Sequence, residues 1–308
     1  MNTLISNLTG RSKLILSAAA FSAMLNLQPQ QAAAQNRQDK VTTVTFQKDK
    51  FNRIFIPTKI DGDTIEMLFG TYSKTLRLTP YFVEHRDLYP SWDRLTLINI
   101  KGYRRSRMVF YLPKMEIGNI KFYNEESIIN TAFPDSVATG STGTLLVNQY
   151  NWKVNNDRNE VSISKKPFNP QQAFITISYK KDIAPSAPVQ IEGTTDDFAL
   201  DFGSGTTFQI NSASALGKQL IARYNLNPKT TLTSNIHARK LVDTIYEVTV
   251  PSLLLNGTEL KNQKVVLSSA APNNIIGTGF LGNYNVIMNN SRKRKIESTF
   301  ILEKRLVD

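Results

Sequence analysis

Along most of the chain, β-branched and aromatic residues alternate with polar ones at a period near two. VTTVTF (41–46), RIFIPTKI (53–60), RLTLINI (94–100), RMVFYLP (107–113), FITISY (174–179) and YEVTVP (246–251) all carry this pattern. Successive side chains of a strand point to opposite faces, so the pattern predicts half-buried strands from Val41 onward. Helical spacing is scarce. Its best instance is Ser212 to Tyr224, where Ala215, Leu216, Gln219, Leu220 and Arg223 share a side and Ser212 supplies a cap. A shorter helix is expected after Thr79-Pro80. Loop signals gather at PFNPQQ (167–172) and at APSAP (184–188), and the second reads as a lobe boundary. The expectation is an all-β chain with one or two short helices.

Three blocks then recur in the same order. IDGDTIEMLFGTYSKTLRL (60–78) faces IEGTTDDFALDFGSGTTFQI (191–210), each reading strand, tight glycine turn, strand, then Phe-Gly followed by Ser or Thr. LPKMEIGNIKF (112–122) faces VPSLLLNGTELK (250–261). TGTLLVNQYNWKVNN (142–156) faces IGTGFLGNYNVIMNN (276–290). The unit is far longer than a solenoid or propeller repeat, so each copy is expected to be a lobe with its own core.

Residues 1–34 read as a secretory signal peptide. Arg11 and Lys13 are basic, Leu14 to Leu27 is apolar, and Ala32-Ala33-Ala34 suits cleavage. That leaves an expected N-terminal lobe over 35–178 and a C-terminal lobe over 179–308. The apolar run is too short to span a bilayer, so the mature chain is expected in the periplasm or outside a bacterial cell, not in the membrane. The 308 residues hold 37 basic and 25 acidic side chains, a net charge of +12. Export directs that charge away from nucleic acid and towards an anionic envelope polymer. The basic stretches 101–107 and 292–295 read as charge-guarded turns or as contacts to such a partner. No cysteine is present, which excludes disulfide scaffolds, thiol catalysis and Cys-ligated zinc. His85 and His237 are the only histidines, so a three-His zinc site is excluded as well. No metal or cofactor is expected. Thr139 to Gly143 is expected to lead into a strand, not a helix, which argues against phosphate binding. Trp92 and Trp152 read as core or lobe-surface anchors.

The second unit resembles the pepsin/retropepsin superfamily of aspartic proteases. Phe198-Ala199-Leu200-Asp201-Phe202-Gly203-Ser204-Gly205 is similar to the family's apolar strand ending in Asp-Thr/Ser-Gly, and Ile275-Ile276-Gly277 to its later apolar-apolar-Gly block. The resemblance covers about residues 45–305. It implies two homologous six-stranded β-barrel-like lobes, a cleft between them and a flap hairpin near Tyr103 and Tyr111. It also implies catalytic roles for Asp201, Gly203 and Ser204. Matching the Phe-Gly pairs puts Leu68 at the first lobe's Asp position, within Met67-Leu68-Phe69-Gly70-Thr71. On that alignment Phe69 and Phe202 occupy the places of the two hydroxyls that tie the lobes together. Phe69, Gly70, Thr71, Phe202, Tyr103 and Gly277 are the cleft and flap candidates.

Hydrolysis by this route needs two carboxylates about 3 Å apart sharing a proton. Asp201 alone supplies one. Among apolar neighbours its pKa is expected to rise unless backbone N–H groups hold the charge. Glu66 is expected on the same side of the strand as Leu68, roughly 6–7 Å back. Asp61 and Asp63 belong to a turn. The expected function is therefore a catalytically degenerate, monomeric protein whose cleft binds an extended peptide or envelope polymer. An active peptidase using Asp201 differently, and a structural envelope protein, stand as alternatives.

Overall fold

The computed structural model describes residues 41–86, 88–98, 104–130, 139–180, 183–234, 240–291 and 296–306. The expected signal segment 1–34, Tyr103, His237 and the basic stretch 292–295 lie outside these residues. The first repeat holds β1 (Thr42–Thr45), β2 (Gln47–Lys48), β3 (Ile54–Ile60), β4 (Asp63–Leu68), β5 (Leu76–Leu78) and β6 (Pro90–Ile98). It continues with β7 (Arg104–Ile117), β8 (Ile120–Ile129), β9 (Gly140–Ser141), β10 (Asn151–Asn155) and β11 (Glu160–Ser164). The second holds β12 (Ala173–Tyr179), β13 (Ser186–Ile191), β14 (Thr194–Leu200), β15 (Phe208–Asn211) and β16 (Lys229–Ser234). It ends with β17 (Lys240–Leu255), β18 (Thr258–Ser268), β19 (Ile275–Ile276), β20 (Tyr284–Asn289) and β21 (Ser298–Lys304). The helices are α1 (Pro80–His85), α2 (Thr144–Val147), α3 (Ala215–Arg223) and α4 (Thr278–Leu281).

Each repeat closes a six-stranded barrel. In the first the order is β3-β4-β9-β5-β8-β7, and β7 returns to β3 through Lys59↔Glu116 and Ile60↔Met115. In the second it is β13-β14-β19-β15-β18-β17, closed by Val189↔Leu255 and Gln190↔Leu254. Closure removes free sheet edges from strands that would otherwise pair promiscuously. Each barrel contains the same two parallel pairs: β4–β9 and β5–β8 in one, β14–β19 and β15–β18 in the other. β2, β6 and β16 extend the barrel sheets beside β3, β7 and β17, and six further strands form a third sheet of order β1-β11-β10-β20-β21-β12. At its centre β10 pairs antiparallel with its own counterpart β20, Lys153 opposite Ile287, so the duplication's two-fold relation passes through that pair.

Local chemistry explains the matching hairpins. Asp61-Gly62, Glu192-Gly193 and Asn256-Gly257 are two-residue turns in which both residues have positive φ. That turn suits the twist of antiparallel strands and favours Asn, Asp and Gly. Inside the barrels, alternate positions face the core: Met67, Phe69, Leu76 and Leu78 in the first, and Phe198, Leu200, Phe208 and Ile210 in the second, are all buried in one apolar cluster.

Several expectations need correcting. The long helix starts later than expected. Ser214, not Ser212, is its cap and accepts from Gly217 N at 3.0 Å. Ser212 is still bound to the strand side, donating its N–H to Ser268 O. The described residues hold four short helices, because both glycine blocks turn into single helical turns, α2 and α4, too brief to show a 3.6-residue period. Thr139 to Gly143 therefore leads into a helical turn and not a strand. Part of APSAP is strand, since β13 begins at Ser186. Trp152 is fully buried, but Trp92 is fully exposed on β6 and anchors nothing in the core. His85 closes α1 at the surface with its ring over Tyr81. Among the described residues no helix is long and apolar enough to cross a membrane.

Candidate functional site

Asp201 follows the last residue of β14, where the chain leaves the second barrel. Its N–H donates to Ile276 O at 2.9 Å, which fixes the backbone at the parallel β14–β19 pair. Its Oδ1 accepts from Gly203 N at 2.8 Å, an Asx-type turn, and from Thr71 N at 3.2 Å across the junction of the two repeats. Burial pushes the Asp201 carboxyl above the usual carboxylate range. The N–H groups of Gly203 and Thr71, the charge of Arg77 and the N–H of Tyr72 oppose that rise.

Strand register identifies the residue that faces Asp201 from the first repeat. The turns Asp61-Gly62 and Glu192-Gly193 are equivalent, and so are the pairs Ile60↔Asp63 and Ile191↔Thr194 beside them. Counting along the strands, Phe55↔Leu68 matches Ser186↔Ala199. The bond from Phe69 N to Ile54 O matches that from Leu200 N to Pro185 O. The counterpart of Asp201 is therefore Gly70, and that of Phe202 is Thr71. Gly70 N donates to Thr142 Oγ1 at 2.9 Å, where Asp201 N donates to a backbone carbonyl.

This corrects the alignment on Phe-Gly, which gave Leu68 as the missing acid's position. Phe69-Gly70 and Phe202-Gly203 look alike but sit two residues apart in register. A two-residue slip leaves every side chain on its original face, so alternation cannot detect it. The hairpin turns, counted from Gly62 and Gly193, were the signal that would have found the right register. Leu68 instead packs with Phe55 in a small cluster apart from the barrel core. Glu66 lies four residues before Gly70, about 13 Å along an extended strand, and does not reach Asp201. Burial alone raises its pKa.

The expectation that both cross-lobe hydroxyls are lost is also overturned. Thr71 Oγ1 donates to Leu200 O at 2.8 Å and accepts from Phe202 N at 3.3 Å. Thr71 is buried, so these bonds satisfy two backbone groups that water does not reach. The reciprocal hydroxyl is absent because its position holds Phe202. That ring packs 5.5 Å from Phe69 and 6.2 Å from Phe300, and Phe69 packs 5.2 Å from Trp152 of the central sheet. One half of the tie is a hydrogen-bonded threonine, and the other is aromatic packing.

The glycines here permit close backbone approach. A Cβ on Gly203 would sit 3.1 Å from Asp201 Oδ1 and 3.4 Å from Gly70 Cα. A Cβ on Gly277 would sit 2.5 Å from the carbonyl oxygens of Ser204 and Thr206. Ser204 is turned away from Asp201 towards Thr206, their hydroxyls 2.9 Å apart. Tyr72, Asn273 and Arg77 also belong to this junction and escaped the sequence reading. Asn273 donates its side-chain N–H to the Tyr72 hydroxyl, a further bond between the repeats. Burial raises the Tyr72 pKa and lowers that of Arg77.

No protein-family model matches the chain, and no curated protein compared with it matches either.

Proposed function

We infer that this chain is a degenerate relative of the pepsin/retropepsin proteases, and that its cleft binds an extended peptide without hydrolysing it. The observation that carries the reading is Gly70, the register counterpart of Asp201. Hydrolysis by paired acids needs one carboxylate to activate water and a second, protonated one to polarise the scissile carbonyl. Glycine offers neither. Asp201 is held by the backbone amides of Gly203 in its own turn and of Thr71 in the first repeat.

The order of parallel pairs within the two barrels supports the superfamily reading. So does the central sheet that joins a strand to its duplicate. A cleft between β lobes holds an extended chain by strand-like backbone bonds and alternate side-chain pockets, and none of that requires a carboxylate pair. The order of basic, apolar and small residues in 1–34 supports export to the periplasm or beyond, with extracytoplasmic peptides as the available ligands and an anionic envelope polymer as a further partner.

The test is incubation of the purified protein with a mixed peptide pool from about pH 3 to about pH 8, the range over which carboxylate catalysts act. Retention of peptides with no cleavage is expected. Cleavage that disappears in Asp201→Asn would establish an active peptidase and overturn the reading.

A further inference from the structure

Arg77 bears on Asp201 only through its charge. It lies on β5 between Leu76 and Leu78, whose side chains fill the first barrel. The period of two turns Arg77 to the outer face. Register places it beside Ser141 of β9, and places Ser141 beside Leu68 of β4, so the three share that face. Leu68 and Phe55 form their own apolar cluster there. The charge of Arg77 acts on both Asp201 and the Tyr72 phenol, which directs the guanidinium to the junction of the repeats.

Among the described residues the Arg77 Nε is buried and has no hydrogen-bond partner. A guanidinium carries five N–H donors in a planar fork and stays charged under all ordinary conditions. Leaving a guanidinium N–H buried and unpaired is unfavourable unless another group completes it. A carboxylate fits the fork through two parallel N–H bonds.

We propose that Arg77 forms a subsite for an acidic side chain of an extended peptide. The guanidinium takes the Asp or Glu carboxylate, and the Ser141 and Tyr72 hydroxyls lie alongside. Asn273 donates to the Tyr72 oxygen, which leaves the phenolic proton to be directed at the ligand. The proposal rests on the peptide-binding reading and adds the class of peptide.

The test uses three acetylated octapeptide pools, randomised except at a central position. One has central Glu and an amidated C-terminus, one has central Gln and an amidated C-terminus, and one has central Gln and a free C-terminus. Binding to the full chain and to Arg77→Gln is read by fluorescence polarisation. The wild-type protein is expected to prefer the Glu pool by about tenfold, the scale of one charge-assisted pair. Arg77→Gln is expected to lose that preference and keep its affinity for the amidated Gln pool. Equal binding of the two amidated pools by wild type overturns the subsite and leaves the peptide reading intact. A preference that survives in Arg77→Gln overturns it as well. Preference for the free C-terminus overturns it in favour of a chain-end carboxylate site. Failure of every pool to bind overturns the peptide reading itself. Should Arg77→Gln not fold, the wild-type comparison still decides, and Arg77→Lys, which keeps the charge but not the fork, is expected to retain only part of the preference.

Discussion

Thr71 Oγ1 reaches across the molecule to Leu200 O at 2.8 Å, so a hydroxyl from the first repeat caps the strand that presents the second repeat's aspartate. The same oxygen receives the N–H of Phe202. Replacing Thr71 with Val keeps the shape and strands both backbone groups. The expected cost is about 1–3 kcal/mol each for buried groups left unpaired, with part recovered by relaxation. Thr71→Ser should retain most of the stability. Thermal or urea denaturation of the two variants measures this, and equal stabilities would refute a role for the hydroxyl.

Phe202 stands where that tie would have had its mate. Truncating it to Ala removes a fully buried ring from between Phe69 and Phe300. A loss of about 3–5 kcal/mol is expected, the usual range for a buried Phe replaced by Ala. A loss below about 1 kcal/mol would mean the ring is not holding the repeats together.

Gly70→Asp tests the register directly. A Cβ at Gly70 meets only Thr142 O at 3.3 Å and Ser141 Cβ at 4.0 Å, so the site admits a side chain with slight adjustment. Two facing carboxyls cannot both ionise cheaply, so the pair should titrate in two separated steps. Carboxyl-carbon NMR should show one step well above the ordinary range. Independent, ordinary titration of the introduced carboxyl and of Asp201 would contradict the assigned equivalence.

The pH dependence of stability follows from the raised pKa of Asp201. Between the unfolded and folded pKa values the folded state binds more protons, so stability falls as pH rises through that window. The contribution of Asp201 is thus greatest below the ordinary carboxylate pKa and is lost above its folded value. Asp201→Asn keeps an oxygen for the Gly203 and Thr71 amides and cannot ionise. The stability of the Asn variant relative to wild type should therefore improve as pH increases. Denaturation midpoints at several pH values give this difference, and a flat or opposite trend would show that Asp201 is not held towards its neutral form.

The sequence alone carried the strands, because alternation is written locally in segments such as RIFIPTKI and YEVTVP. It also carried the duplication, because three blocks recur in order, and it pointed to Asp201 through the apolar run that leads into it. Tertiary structure decided what faces Asp201. Phe69-Gly70 and Phe202-Gly203 invite an alignment that is two residues out of step, and a strand's period of two hides such a slip. Counting from the Gly62 and Gly193 turns already gives the true register, and the inter-strand hydrogen bonds fix it: Gly70 stands opposite the aspartate and Thr71 opposite Phe202. The helical turns α2 and α4 and the junction partners Tyr72, Asn273 and Arg77 were out of reach. Their roles depend on which strands lie side by side, a matter of barrel closure and not of neighbouring residues along the chain.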